Sequence, residues 1–401
     1  MFEIFNRYLK GDKVIWAVII FLSIVSLLAV YSSTGTLAYM SQGGNTAYYI
    51  IKHFSILMLG LVLIYIVHLV PYRLYSKLSQ LFLVISTILL LLTLLMGTSI
   101  NQATRWLTLP GLGITLQTSD LAKISLVMYL ARLLSMKQYS IKELKHSFVV
   151  ILVPVLIVCG LIMPANLSTA IMLFVTCMVL MFIGRVRSRY LFSLIGISVM
   201  LVGIFVSVAL YTHTEGRIGT WKNRVVSYVG TDDADNYQVE QSKIAIATGG
   251  ILGKGPGKSA QRNFLPYPYS DFIYSIIIEE YGLAGGAVVL FFYLWLLYRA
   301  GVIVRKSDRT FPAFLAIGLT LLIVFQAFIN MAVAVNLLPV TGQPLPLVSM
   351  GGSSLLFTSI AFGIILSVSH GVNKREELVS NTETVIKQRI EHEPEEEQGS
   401  N

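Results

Sequence analysis

Long stretches of hydrophobic residues run along most of this chain, and short polar stretches separate them. Each is close to the length of about 20 residues that a helix needs to cross a hydrocarbon core about 30 Å thick. The pattern predicts about ten membrane-spanning helices, at residues 14–34, 50–70, 78–97, 119–135, 147–163, 167–184, 190–211, 272–298, 311–335 and 353–370. The sequence therefore predicts an all-α polytopic membrane protein with a large extracytoplasmic loop, about 212–271, between helices 7 and 8.

The composition agrees with this fold class. Of the 401 residues, 55% are hydrophobic and only 13% are charged, whereas a soluble domain carries about 25% charged residues. The net charge of +9 comes from short basic groups between the apolar stretches. This spacing indicates membrane orientation rather than a nucleic-acid partner. Cys159 and Cys177 both lie inside apolar stretches, so neither a disulfide nor a metal site is expected from them.

Lysine and arginine concentrate in every second connection between the predicted helices. Because such connections stay on the cytoplasmic side, we expect a multi-pass protein of the cytoplasmic (inner) membrane with both termini in the cytoplasm. The transmembrane domain would then occupy residues 1–371. The polar, acidic residues 372–401 would form a disordered cytoplasmic tail.

The loop at 212–271 is basic although it lies on the outer side. Its lysines and arginines are Arg217, Lys222, Arg224, Lys243, Lys254, Lys258 and Arg262. Long loops escape the orientation rule, so these charges are compatible with simple translocation. They are equally compatible with a basic lining for an anionic substrate.

Carboxylates lie where the apolar pattern makes them costly. Asp271 precedes the eighth predicted helix, and Glu279 and Glu280 lie two to three turns further along it. Ionised groups at such depth usually line a polar cavity or pair with one another, and they indicate function by default. Asp271 could alternatively be only the N-cap of the helix. Asp120 and Lys123, one turn apart, would form either a simple ion pair or part of a polar cavity.

Four separated motifs resemble the SEDS family (shape, elongation, division and sporulation), over nearly the whole chain. Residues 338–354, LPVTGQPLPLVSMGGSS, are close to the family's LPxTGxxLPFISYGGSS. Residues 101–106 resemble NGAxRW, residues 117–123 resemble QPSExxK, and residues 253–282 resemble GxGxGxSxQK…LPxxxTDFIFxxxxEExG. The chain departs from the family at residues 164–170, where Asn166 lies near the usual aspartate of PDxGTA.

The resemblance implies a fold of ten helices and a peptidoglycan glycosyltransferase that polymerises lipid II into glycan strands at the outer face of the membrane. The acidic tail and the N-terminal residues are most similar to the cell-division member of the family, so septal synthesis is expected. The implied partners are lipid II, a class B penicillin-binding protein transpeptidase, divisome proteins and membrane lipid.

The resemblance also implies roles for individual residues. Asp271 would be the catalytic general base, or it would hold a divalent cation, Mg²⁺ or Mn²⁺, for the same purpose. The residues expected to bind substrate are Arg105, Trp106, Gln117, Asp120, Lys123, Lys258, Gln261, Arg262, Glu280 and Ser353.

Other classes of function stay open. A lipid II flippase would use the same intramembrane charges as a path across the bilayer, and a scaffold for division proteins would need no buried carboxylates. A polymerase acting in elongation instead of division is a further alternative. Because the polar residues concentrate on the outer side, the sequence favours a polymerase over a flippase.

Overall fold

We describe the fold from a computed structural model of the chain. It describes residues 9–35, 37, 43, 45–96, 98–100, 103–108, 115–138, 148–211 and 233–392. Eleven α-helices lie in these ranges. They are α1 (Lys13–Ser33), α2 (Thr46–Leu69), α3 (Tyr72–Met96), α4 (Thr118–Met136), α5 (Val149–Ile162), α6 (Leu167–Ile183), α7 (Ser188–Tyr211), α8 (Asp233–Gly249), α9 (Ile273–Lys306), α10 (Thr310–Ala334) and α11 (Gly352–His392).

Every helix except α8 coincides with one of the ten predicted spans, so the predicted fold class is confirmed. Six of the described helices (α1, α2, α3, α9, α10 and α11) are long and apolar enough to cross a membrane, and α5 and α6 are shorter apolar helices. Large apolar side chains such as Ile66, Val84 and Phe192 are exposed on the outside of the bundle. Such side chains must face lipid rather than water. Together with the long apolar helices, they identify a multi-pass membrane protein.

The interior is built around α10, which is almost completely buried. This helix is apolar on every side, as expected for a helix that other helices surround. It packs against α4, α6, α9 and α11. Its polar residues Gln326 and Asn330 are buried, and they are described below because they organise the site.

The helices alternate in direction, so their connections lie at two ends of the bundle. The connections after α1, α3, α5, α8 and α10 meet at one end, which we call the site end. Contacts between them establish this arrangement. Gln343 donates a hydrogen bond to Thr169 at the start of α6, and the Ser349 hydroxyl donates to the Ser270 carbonyl just before α9.

The connections at the site end contain structure that hydropathy did not predict. Strands β1 (Thr98–Ile100), β2 (Ala103–Thr108) and β3 (Thr115–Gln117) form an antiparallel sheet in the order β1-β2-β3. Helix α8 lies inside the predicted loop 212–271, of which residues 212–232 fall outside the described part. Short strands and a polar helix lack an apolar period long enough to be read from sequence.

At the opposite end, α11 continues beyond the membrane span to His392, which differs from the disorder predicted from residue 372. Two ion pairs hold the start of this extension, Lys306–Glu376 at 2.8 Å and Arg375–Asp308 at 3.3 Å. A helix that is already formed can extend without a new nucleus, so polar residues that could not start a helix can prolong one. Residues 393–401 lie outside the described part.

Candidate functional site

Asp271 lies in the turn that leads into α9, and its side chain is half-buried. Ser270 Oγ donates a hydrogen bond to Asp271 Oδ1 over 3.0 Å. The N-cap position of α9 is Phe272, so the alternative that Asp271 is the N-cap residue of this helix is wrong. The carboxylate nevertheless lies beside the N-terminus of α9, where the helix dipole stabilises negative charge.

The connection between α10 and α11, residues 335–351, holds this turn from one side. Met350 N donates to the Tyr269 carbonyl over 2.9 Å, and Ser349 Oγ donates to the Ser270 carbonyl over 2.6 Å. Asn330 Nδ2 of α10 donates to the carbonyls of Asp271 and Gln343, each over 2.8 Å. The backbone of Asp271 is therefore fixed by elements far apart in sequence, as a preorganised site requires.

The backbone near Asp271 is strained at two positions. Tyr267 and Leu347 have φ angles of 53° and 65°, in the left-handed region that costs a residue other than glycine about 1–3 kcal/mol. Tyr269, between the strained Tyr267 and Asp271, is half-buried. Burial, and then the neighbours Tyr267, Tyr49 and Asp271, raise the pKa of Tyr269 above its usual value. Its phenol therefore stays neutral and can donate a hydrogen bond.

A buried ion pair lies in the first two turns of α4. Lys123 Nζ is 2.8 Å from Asp120 Oδ1, and both side chains are almost completely buried. Lys123 Nζ also donates to Gln326 Oε1 over 3.0 Å, and Gln326 Nε2 donates to the Pro344 carbonyl over 3.0 Å. The pair is thus connected through α10 to the same loop that holds Asp271.

The sequence analysis did not single out Gln326 and Asn330. They are four residues apart on α10, so both amides lie on one face of the helix and bind neighbouring residues of one loop. Two amides at this spacing in an otherwise apolar span were the signal that could have identified them, because polar side chains in a membrane helix usually face the interior.

The second carboxylate oxygen of the ion pair borders a small cavity. Asp120 Oδ2 is buried and accepts no hydrogen bond within the described part of the chain. The cavity beside it, between α4, α10 and α11, has a volume of about 20 Å³, which is room for about one water molecule. The sequence offered a simple ion pair or part of a polar cavity, and the structure combines the two. Asp120 and Lys123 neutralise each other and also border a polar cavity.

Glu279 and Glu280 anchor the connection between α8 and α9, residues 250–272. The fully buried Glu279 accepts hydrogen bonds from Lys254 Nζ over 2.6 Å, Ala260 N over 3.1 Å, Gln261 N over 3.2 Å and the Ser259 hydroxyl. Glu280 accepts from Ser259 N over 3.3 Å and from the Ser32 hydroxyl of α1. Glu280, expected to bind substrate, thus accepts hydrogen bonds from two serines of the protein and positions this loop.

Two glycines allow this loop to enter a break in α9. Gly282 has φ 72°, which interrupts the helix, and a Cβ there would lie 2.0 Å from the Ile251 carbonyl oxygen. A Cβ on Gly253 would lie 2.2 Å from the Glu280 carbonyl oxygen. Only glycine fits at such close approach of two backbones. Residues 249–257, GGILGKGPG, therefore form an anchored turn.

The anchored loop presents the basic residues expected from the sequence. Arg262 Nη1 donates to the Ser32 carbonyl over 3.1 Å, so it lies beside Glu280 and α1. Lys258 is exposed, and Gln261 has a buried side-chain oxygen without a hydrogen-bond partner within the described residues. The loop thus combines a fixed backbone, two cations and an unused acceptor.

The other expected substrate residues lie on or beside the sheet. Trp106 pairs with Gln117 between β2 and β3, and Gln117 N donates to Ser353 Oγ at the start of α11 over 3.2 Å. Gln117 Nε2 also reaches Asp120 Oδ1 at 3.5 Å. Gln117, Ser353 and the ion pair are therefore brought together. Arg105 lies on β2, while its side chain falls outside the described part of the structure.

Asn166, which stands near the family's aspartate, caps α6. Its Oδ1 accepts a hydrogen bond from Thr169 N over 3.3 Å. Asparagine and aspartate are about equally good N-caps. The exchange therefore preserves the capping function without a charge.

The described residues fit a divalent cation only partly. No cluster of three or more histidine, cysteine, aspartate or glutamate side chains that could hold a metal occurs among them. Asp271 would therefore supply a single carboxylate. That is compatible with Mg²⁺, which usually retains several waters and takes its remaining ligands from substrate phosphates.

A ten-span helical bundle with a fixed carboxylate, a buried ion pair and a basic loop at one end defines a polytopic membrane protein with a polar site at its surface. The sequence profile of the FtsW, RodA and SpoVE family, described as cell cycle proteins, matches residues 12–374. The chain belongs to this family.

Relatives and solved structures agree. A probable peptidoglycan glycosyltransferase FtsW of Trichlorobacter lovleyi is 32% identical over 91% of this chain and 95% of its own length. Stage V sporulation protein E of Bacillus subtilis is 31% identical over 89% of this chain and 96% of its own. A chain from a peptidoglycan synthase complex, studied for its coordination of polymerization and crosslinking, superimposes with TM-score 0.69 at 25% identity, over 90% of this chain and 98% of its own. RodA of Thermus thermophilus superimposes with TM-score 0.63 at 24% identity, over 91% and 98%.

Proposed function

We propose that this protein is a peptidoglycan glycosyltransferase that polymerises lipid II during septal wall synthesis. The observation that carries the proposal is the fixed position of Asp271. Its backbone is held by Asn330 and its neighbours are held by Ser349 and Met350, while the half-buried carboxylate lies at the surface of the site end. The names of the relatives support the reaction class, and the resemblance to a peptidoglycan synthase complex supports a transpeptidase partner.

The reaction needs a base at this position. The acceptor sugar hydroxyl attacks the anomeric carbon of the donor, the bond from that carbon to the pyrophosphate oxygen breaks, and polyprenyl pyrophosphate leaves. Asp271 takes the hydroxyl proton, either directly or through a water. A divalent cation, where bound, would be held by Asp271 and would neutralise phosphate charge.

The surrounding residues bind the substrate. Lys258 and Arg262 balance the negative charge of the leaving pyrophosphate. The linked side chains of Gln117, Asp120 and Lys123 supply polar contacts at the start of α4. Arg105, Trp106 and Ser353 belong to the neighbouring sheet and the start of α11. The apolar sides of the surrounding helices take the lipid tails.

The proposed orientation places the site end outside and both termini in the cytoplasm. Cysteine labelling tests it: Leu252→Cys should react with a membrane-impermeant thiol reagent added from outside, and Ser188→Cys should not. Both parent side chains are exposed, whereas Cys159 and Cys177 are buried. The reverse labelling pattern would contradict the orientation.

Polymerisation of purified lipid II, with and without the class B penicillin-binding protein, tests the reaction. Asp271→Asn keeps the size of the side chain and removes its charge and basicity. Because a general base contributes about 10² to 10⁴-fold, the rate should fall by that factor. The exposed Glu240 on α8 offers a matched control at the same end, since Glu240→Gln also removes one carboxylate charge and should leave the rate unchanged.

The same assay separates the alternatives. A flippase would not polymerise lipid II even as the parent protein, and a scaffold would be indifferent to Asp271→Asn. An Asp271→Asn variant that makes glycan strands at the parental rate would disprove the catalytic assignment.

A further inference from the structure

A second polar site lies at the opposite end of the bundle. There a cleft of about 530 Å³ opens between the start of α3, the connection from α9 to α10, and the end of the membrane span of α11. Tyr72, Pro312 and Val372 are among the residues that line it. The cleft is separate from Asp271 and from every residue assigned above to the glycosyltransferase site.

The lining of this cleft carries an excess of positive charge. Its cations are Arg305, Lys306, Arg309 and Arg375, and its anions are Asp308 and Glu376. Lys306 pairs with Glu376, and Arg375 pairs with Asp308. Within the described part of the chain, the remaining cations Arg305 and Arg309 take part in no ion pair. Both are exposed at the cleft.

The helix that starts at the cleft adds to this field. The N-cap of α10 is Arg309, and in the described structure no side chain caps this terminus. The first backbone N–H groups of a helix lack intrahelical partners and bear partial positive charge. Pro312, the third residue of α10, lines the cleft and has no N–H. The helix therefore adds the positive end of its dipole near the cleft, and the two arginines are the groups that can bind a phosphate.

The position of the cleft indicates where that phosphate comes from. The apolar spans of α9, α10 and α11 end or begin at Lys306, Thr310 and Glu376, so the cleft lies at the level where hydrocarbon meets water. Tyr298, one to two turns before the cleft on α9, is exposed, and tyrosine is enriched at this boundary. Basic pockets between membrane helices at this level bind anionic lipid headgroups.

We propose that this cleft binds the phosphate headgroup of an anionic phospholipid. Arg305 and Arg309 pair with the phosphate, and the positive end of the α10 dipole adds to the attraction. The lipid bridges α9, α10 and α11, whose ends otherwise meet through two surface ion pairs.

Lipid retention measured by native mass spectrometry tests the proposal. The parent protein, purified from nanodiscs of phosphatidylglycerol and phosphatidylcholine in equal amounts, should retain phosphatidylglycerol selectively. A cation near a membrane surface favours an anionic lipid by about fivefold, so Arg305→Gln combined with Arg309→Gln should lower this retention by about thirtyfold. Asp308→Asn, which removes a negative charge from the same cleft, should raise it by about fivefold.

The matched control is Arg187→Gln combined with Arg189→Gln. These exposed arginines precede and begin α7 at the same end of the bundle, so the net charge falls equally outside the cleft. Equal loss of phosphatidylglycerol in the two double variants, or no loss in either, would overturn the proposal. Inorganic phosphate at 10 mM provides the second arm. If it displaced the lipid completely from the parent protein, the site would be one for free phosphate, and the lipid assignment would be wrong.

Discussion

Replacement of Glu279 by glutamine tests how the basic loop is held. Glu279 is fully buried and accepts four hydrogen bonds, from Lys254, Ser259, Ala260 and Gln261. A glutamine can present its oxygen to Lys254 and Ala260, but its NH₂ group then faces Ser259 and Gln261. The Ser259 hydroxyl can rotate and accept, whereas the Gln261 N–H keeps no acceptor.

The magnitude follows from these contacts. A buried N–H without a partner costs about 1–3 kcal/mol, and a hydrogen bond to a charged group is worth about 1 kcal/mol more than a neutral one. The ion pair with Lys254 contributes less stabilisation than a fully buried pair, because the Lys254 side chain is 32% exposed. The anchoring of the loop should therefore weaken by about 3 kcal/mol.

Hydrogen exchange followed by mass spectrometry measures this anchoring. The amides of residues 255–263 should exchange about a hundredfold faster in Glu279→Gln, since 1.4 kcal/mol corresponds to about tenfold. Amides in the middle of α10 should be unaffected. Polymerisation should also fall, because Lys258 and Arg262 lose their fixed position.

The exposed Glu240 again provides the control, because Glu240→Gln removes the same charge without a buried partner and should change exchange little. A double-mutant cycle with Lys254→Gln measures the pair itself, and the combined loss should be smaller than the sum. Unchanged exchange at residues 255–263 in Glu279→Gln would refute the argument that this carboxylate anchors the loop.

Three further predictions concern the break in α9, the support of Asp271 and the cation. Gly282→Ala should lower stability by about 3 kcal/mol in a thermal melt, because its Cβ meets the Ile251 carbonyl; Gly250→Ala, with open space around its Cβ, should cost only about 1 kcal/mol. Asn330→Leu leaves two carbonyls without their donor, which costs about 1–3 kcal/mol of stability each. It should slow polymerisation at least tenfold while membrane insertion stays normal. An unchanged rate would exclude a positioning role for Asn330. If Asp271 holds a cation, a chelator should stop polymerisation by the parent and Mn²⁺ or Mg²⁺ should restore it, whereas an unaffected rate would leave the carboxylate as a base alone.

The spans could be predicted because a bilayer imposes one simple rule. A crossing helix must satisfy its own backbone and present apolar side chains over about 20 residues, so its signal is local and long. A helix occurs at each of the ten predicted spans. The motif residues around Asp271 and the Asp120–Lys123 pair could also be found in the sequence, since charged residues stand out within apolar stretches.

The roles of several residues could not be predicted, because they depend on contacts between distant parts of the chain. Glu280, expected to bind substrate, accepts hydrogen bonds from Ser32 and Ser259, which lie far from it in sequence. Gln326 and Asn330 were overlooked, and they connect α10 to the loop at 335–351 and to Asp271. No local pattern encodes such contacts.

The sequence by itself determined the number of membrane spans, the family and the identity of the charged residues. Only the tertiary structure decided which carboxylates are enclosed by hydrogen-bond donors of the protein and which one lies half-buried at the surface. The physical reason is that a buried carboxylate takes its role from the donors around it. Four donors surround Glu279, and Asn330 donates to the backbone carbonyl of Asp271. These donors come from residues that only folding brings together.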